Sequence, residues 1–175
     1  DFFIAEPSYP EGFRYKVGLN CYSTINETII LGINQKYKPL RFIDFGLEIA
    51  SGIDFSEESP LGYAVRFEGN GAYKQLSYKF NSVYADPLFP GTYRDLYLLM
   101  GNLGFQFLDN RLKFNTTYQQ QQRNISLDEL ISYAFLERNA LVNCSYSFGR
   151  DLTSISLAWK YQNKEDLFPD PDYTF

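Results

Sequence analysis

The stretch 43–56 reads IDFGLEIASGIDFS: Ile43, Phe45, Leu47, Ile49, Ser51, Ile53 and Phe55 alternate with Asp44, Gly46, Glu48, Ala50, Gly52 and Asp54. Successive side chains on a strand point to opposite faces, so a period of two predicts a strand with one apolar and one polar face. The same period recurs and predicts strands near 13–21, 29–37, 43–55, 63–68, 76–84, 97–107, 112–121, 142–148 and 154–162. Between them lie the turn-forming stretches STINET, YKPLR, SEESPLG, EGNGAY, ADPLFPGTYRD, LDN and GRD. Strands joined by such short links pair as antiparallel neighbours, because parallel pairing needs a long crossover. The expected fold is therefore all-β and up-and-down, with 1–11 a leading linker, 12–163 strands and loops, and 164–175 a terminal loop. The segment 126–138 reads two ways. Ser126-Leu127-Asp128-Glu129 has the form of a helix capping box, yet Ile131, Tyr133 and Phe135 alternate as a tenth strand would.

The two faces differ in more than polarity. Arg14, Lys16, Lys36, Asp44, Glu48, Asp54, Arg66, Glu68, Lys79, Lys113 and Lys160 all fall on the polar face, and the opposite face of the expected strands carries no charge. Small residues such as Gly18, Gly32, Gly46, Gly52, Ala64, Ser145 and Ser156 fill the polar side. Glycine weakens a strand unless something passes close by, so this side suits a crowded, wet interior. Aromatics make up 18% of the chain. On the apolar side they gather near strand ends (Phe45, Phe55, Tyr63, Tyr78, Phe80, Tyr146, Trp159 and Tyr161), with Leu47, Ile49, Leu99, Leu103 and Leu157 nearer mid-strand. Rings with one dry and one wet end are most stable at a boundary between apolar and aqueous surroundings.

Alternating strands such as LKFNTTYQQQ and TSISLAWKYQ, joined by GRD or LDN and broken by acidic, Pro-containing loops, resemble the transmembrane β-barrels of Gram-negative outer membranes. The resemblance is one of pattern and covers roughly 12–163. It implies that the eleven charges above face a lumen and that the eight aromatics face lipid. It also implies an outer-membrane location, with membrane lipid and the barrel-assembly machinery as partners. Pro169 and Pro171 with Asp170 and Asp172 are unsuited to a closing strand, so these strands are expected to be part of a larger barrel. The expected function is a pore, a secretion or assembly conduit, or a surface anchor. The rival reading is a soluble lipocalin-like or sandwich module whose apolar face surrounds a small ligand.

Candidate chemistry narrows little further. The chain has no histidine, which removes the commonest general base and zinc ligand, and Cys21 and Cys144 form no CxxC. Both cysteines fall on the apolar side and read as small buried hydrophobes. Asp44 and Glu48 stand roughly 13 Å apart at strand rise, too far for a paired-carboxylate mechanism. Glu57, Glu58, Asp86 and Asp95 lie in loops without the spaced calcium pattern. The sequons at Asn26, Asn115, Asn124 and Asn143 fit chance in an Asn-rich β protein. A net charge of −5 gives no basic surface for nucleic acid. No enzyme activity, metal or cofactor is expected, and the mixed signs on the polar face imply weak ion selectivity.

Overall fold

The computed structural model describes residues 2–5, 14–23, 28–40, 42–55, 61–128, 133–148 and 153–168. They form ten strands: β1 (Phe2–Ala5), β2 (Arg14–Ser23), β3 (Thr28–Leu40), β4 (Ile43–Asp54), β5 (Leu61–Tyr73), β6 (Leu76–Ala85), β7 (Leu96–Phe107), β8 (Leu112–Arg123), β9 (Phe135–Phe148) and β10 (Thr153–Asp166). Each pairs antiparallel with the next in a single ten-stranded sheet ordered as the chain runs. No ladder joins β10 back to β1 among the described residues, so the sheet is open. No helix occurs among them.

The links fall on two rims. One carries 6–13, 41–42, 74–75, 108–111 and 149–152; the other carries 24–27, 55–60 and the two longest, 86–95 and 124–134. The strands also lean. Following the ladder from Asp44, one residue into β4, through Asn70, Lys79, Asn102, Thr117 and Leu141 reaches Lys160, seven residues into β10. Six residues of offset over six strands, at about 3.3 Å along and 4.8 Å across, make a lean of roughly 35°.

Each expected strand is present, with differences at the margins; the first is that β3 runs on through Lys38, Pro39 and Leu40, where YKPLR was expected to turn. EGNGAY is strand, and the chain turns at Lys74 (φ 52°) instead. Its glycines admit rings: a Cβ on Gly69 would strike the Phe80 ring, and one on Gly71 the Phe42 carbonyl oxygen and, at 2.6 Å, the Tyr78 hydroxyl. The Tyr78 hydroxyl crosses Gly71 to donate to that carbonyl at 3.3 Å.

The segment after β8 is neither the expected helix nor a separate strand. Leu127 sits at φ 55°, outside helical space, and the Ser126 hydroxyl is spent on Asp95; β9 then starts at Phe135. Residues 129–132 lie outside the described residues. The leading segment contributes β1, which borrows the β2 ladder around Leu19 and Gly18. Finally, β10 runs past 164 to Asp166 because Lys164, Glu165 and Asp166 continue the ladder with Glu137, Leu136 and Phe135.

Candidate functional site

Cross-strand partners share a face, so the register decides which side chains lie together. The ladder Lys16, Lys36, Gly46, Glu68, Asn81, Met100 runs along one face. The same pairing puts all eleven expected charges, Arg14 through Lys160, on that polar face. Seven are cations and four are carboxylates. Lys38, Arg123 and Lys164 join the cations there, and Glu137 and Asp166 the carboxylates. Ten against six is a net +4 among the strand residues of the polar face, in a chain whose total is −5.

Seven of the eight expected aromatics, Phe45, Tyr63, Tyr78, Phe80, Tyr146, Trp159 and Tyr161, lie on the apolar face; Phe55 sits in the turn just past β4, exposed. They form clusters: Phe67 lies 6.1 Å from Phe45 and 5.2 Å from Phe80, Tyr63 pairs with Tyr84 at 5.8 Å, and Trp159 stacks on Tyr161 at 6.2 Å. Between the ring clusters the face is aliphatic and bare. Ile33, Ile49, Leu103 and Leu157 are all exposed, Leu157 to 72%. Cys21 is likewise exposed and Cys144 half-buried, both free thiols, so neither is the buried hydrophobe its position suggested; among the described residues nothing packs over this face to bury them.

The apolar face also carries two charges that shorter strands would have hidden. Arg138 and Glu165, on the extensions of β9 and β10, pair at 2.8 Å, and Asn163 donates to the same carboxylate at 2.8 Å. They lie beyond the level of Tyr118 and Tyr161, together with Gln120 and Gln122. The apolar band therefore ends at those tyrosines.

The packed core is on the other side. Val83, Ala85 and Leu96 are buried on the polar face, Ala85 completely, together with Phe89 and Ala134 from the two longest loops. Loop 86–95 folds over this face. A Cβ on Gly62 would strike the backbone of Leu88 and Phe89, and one on Gly52 would meet Pro90 Cγ at 2.6 Å, so these two glycines clear its path. The loop is tied from within: Asp86 accepts from the Leu88 N–H through its side chain at 2.8 Å and from the Phe89 N–H through its carbonyl at 3.0 Å.

A buried polar knot then joins loop 86–95 to loop 124–134. Asp95 accepts from the Ser126 hydroxyl at 2.8 Å and from its N–H at 3.1 Å, while the Asn124 N–H donates to the Asp95 carbonyl at 3.0 Å. Asn124 is buried, its side chain bonded to the Asp128 N–H and carbonyl at 2.8 and 3.0 Å. That sequon is thus closed to modification in the folded chain. Asp95 and Asn124 both hold positive φ, at 51° and 55°, which these two residue types tolerate better than most.

Away from the loops, the polar face over β2–β5 hollows into a cavity of about 640 Å³. Lys16 and Lys36 line one side; Glu48, Arg66 and Glu68 line the other. Arg66 pairs with Glu68 at 2.8 Å and donates from Nε to Asn81 at 3.2 Å, and Asn34 donates to Asn20 at 3.2 Å. Gly18 and Gly46 floor the hollow beneath Asn34 and Glu68, since a Cβ on them would meet those side chains at 2.6 and 2.7 Å. Glu48 faces Arg66 across the ladder, so the carboxylates here are matched by cations, not paired with each other.

Period-two reasoning found both faces. It missed the in-folded loop and the Asp95–Ser126–Asn124 knot, whose only sequence signal was the unusual length of ADPLFPGTYRD. Comparison with protein-family models, with curated proteins and with solved structures finds no match to the chain.

Proposed function

We propose that this chain is a wall of an outer-membrane β-barrel in a Gram-negative bacterium, with its apolar face against lipid and its polar face lining a solute conduit. One observation carries the reading: the side chains that pack into a core lie on the polar face, under an in-folded loop, while the aromatic and aliphatic band of the other face is bare. A soluble sandwich or ligand-binding barrel would have the opposite arrangement, because apolar burial is the dominant favourable term in water. In lipid the bare face is the stable one, and the backbones of β2 to β9 are paired with neighbours on both sides.

Other features agree. A lean of roughly 35° falls at the edge of the range for membrane barrels, and the two longest loops share the rim opposite the two-residue links, as short turns and long loops divide in such barrels. Ring clusters bounding an aliphatic band match interfacial girdles, and charges resume outside the band. The open edges of β1 and β10 call for further strands, so the conduit reading includes the remainder of a larger barrel as partner, and the assembly machinery that inserts such proteins. The in-folded loop narrows the polar face from the long-loop side.

Fractionation of the full-length protein, followed by gel migration with and without boiling, tests this. Sedimentation with outer membranes, release only by detergent, and faster migration unboiled are expected. A protein that stays soluble and monomeric without detergent overturns the proposal.

A further inference from the structure

We propose that the cavity between loops 86–95 and 124–134 binds an uncharged saccharide. Its volume is about 470 Å³, within the range of small-molecule sites. Leu96 and Leu98 of β7 give it an apolar floor, and the rings of Tyr93 and Tyr133, each about half exposed, line it from the two loops. Gln121 and Arg123, on the polar face of β8, line it as well, and among the described residues neither side chain has a hydrogen bond or ion pair. An aromatic face takes up the C–H side of a sugar ring, while an amide and a guanidinium meet its hydroxyl edge, the amide as both donor and acceptor. The charges lining the cavity cancel, Arg94 and Arg123 against Asp95 and Asp128. Affinity there has to come from ring contact and hydrogen bonds, not from net charge.

The walls are held in place by the protein's own bonds. Asp95 accepts from Ser126 across the two loops, the Asn124 Nδ2 donates to the Tyr133 carbonyl at 3.3 Å, and the Arg94 Nε donates to the Pro87 carbonyl at 2.6 Å. Preorganisation of this kind lowers the ordering cost of binding. The sheet below the cavity points to the same ligand class independently. On the polar face of β7 to β9 the register brings together Asn102, Asn115, Gln119, Asn139 and Asn143, and Lys113, Arg123 and Glu137 are the only charged strand residues there. Glu137 is itself held by the Asn139 amide at 2.8 Å. Amides in register offer donors and acceptors without net charge, which suits hydroxyls and not ions. As a cargo site the cavity rests on the conduit reading; as a binding site it stands on its own geometry.

The test is to probe the full-length protein, in a detergent without a sugar headgroup, on an array of neutral and acidic glycans, and then to titrate the tightest neutral binder by calorimetry. Saturable binding of neutral glycans is expected, with an affinity that salt leaves unchanged. Tyr93→Ala should weaken it about tenfold, through the loss of one ring contact. Gln121→Ala should weaken it about fivefold, through the loss of one hydrogen-bonding group. Both side chains are accessible and outside the buried core, so the variants should melt as the natural chain does. Lys36→Gln, on the charged half of the same face, should leave binding unchanged. Absence of glycan binding overturns the proposal, as does a preference for acidic glycans that fades with salt, or binding undiminished in both Tyr93→Ala and Gln121→Ala. Membrane partitioning is read separately, so a failure of the barrel reading is distinguishable from a failure of this site.

Discussion

Gly62→Ala is the sharpest probe of the in-folded loop. The new Cβ would lie 2.5 Å from the Leu88 carbonyl oxygen and closer still to the Leu88 carbonyl carbon and the Phe89 nitrogen. All three are backbone atoms, so no side-chain rotation relieves the overlap and either β5 or the loop has to move. Alanine is ordinarily the better strand residue, by about 0.5–1 kcal/mol relative to glycine within a regular element. Overpacking of this kind costs about 1–3 kcal/mol, which outweighs that gain. The loop's main anchor, the buried Phe89 ring, contributes about 1.5–3 kcal/mol. The two are comparable, so the substitution should raise the population of loops lifted off the face by about 5–150-fold. Hydrogen exchange of the 86–95 peptide in detergent reads this, since the Asp86 N–H at the loop's base donates to the Tyr63 carbonyl of β5 at 2.9 Å. Gly101→Ala is the control, because a Cβ there meets nothing within 4 Å. Unchanged protection of 86–95 in Gly62→Ala would refute the placement of the loop against β5.

Three further outcomes are expected. Leu157→Lys puts a charge in the middle of the bare apolar band and should cost about 2–4 kcal/mol of stability in bilayers, whereas Ala158→Lys, one residue on and facing the polar side, should cost far less; equal costs in a folding titration would mean the band meets water. Asp95→Ala leaves the Ser126 N–H without its acceptor and the Ser126 hydroxyl with only Asn124 Oδ1 at 3.3 Å, and should destabilise by about 1–3 kcal/mol in thermal melts, with Asp95→Asn intermediate. The natural thiols Cys21 and Cys144, both on the apolar face, should resist a water-soluble maleimide in membranes and react once the protein is unfolded in detergent, while a Ser156→Cys thiol on the polar face should react in both; rapid native labelling of Cys21 would contradict a lipid-covered face.

Much of the fold was legible because a strand's side-chain period is two and a meander needs only neighbour pairing. Ile43–Asp54 showed its two faces outright, and the positions of Arg14, Glu48, Arg66 and Lys160 on one side follow from the same parity. Parity cannot say how far a strand runs once its pattern blurs. QQQQ at 119–122 and Glu137-Arg138 have no apolar alternation, so the extensions of β8 and β9 and the Arg138–Glu165 pair emerged only from the ladder. Nor does composition separate a glycine that turns the chain from one that makes room. Gly69 and Gly71 read as a turn, and only the rings of Phe80 and Tyr78 across the strand explain why they stay extended.

The sequence by itself determined that this is a sheet of alternating strands with one charged, small-residue face and one aromatic and aliphatic face, since both statements depend on residue parity along the chain. Only the tertiary structure decided that Ser126 bonds Asp95 and caps no helix, that Leu88 and Phe89 fold back over Gly62, and that four cations stand opposite one another on β2 and β3. Those facts depend on register and on contacts between residues far apart in the chain, where the energy of a small overlap or a single buried hydrogen bond selects among arrangements that local propensity leaves equal.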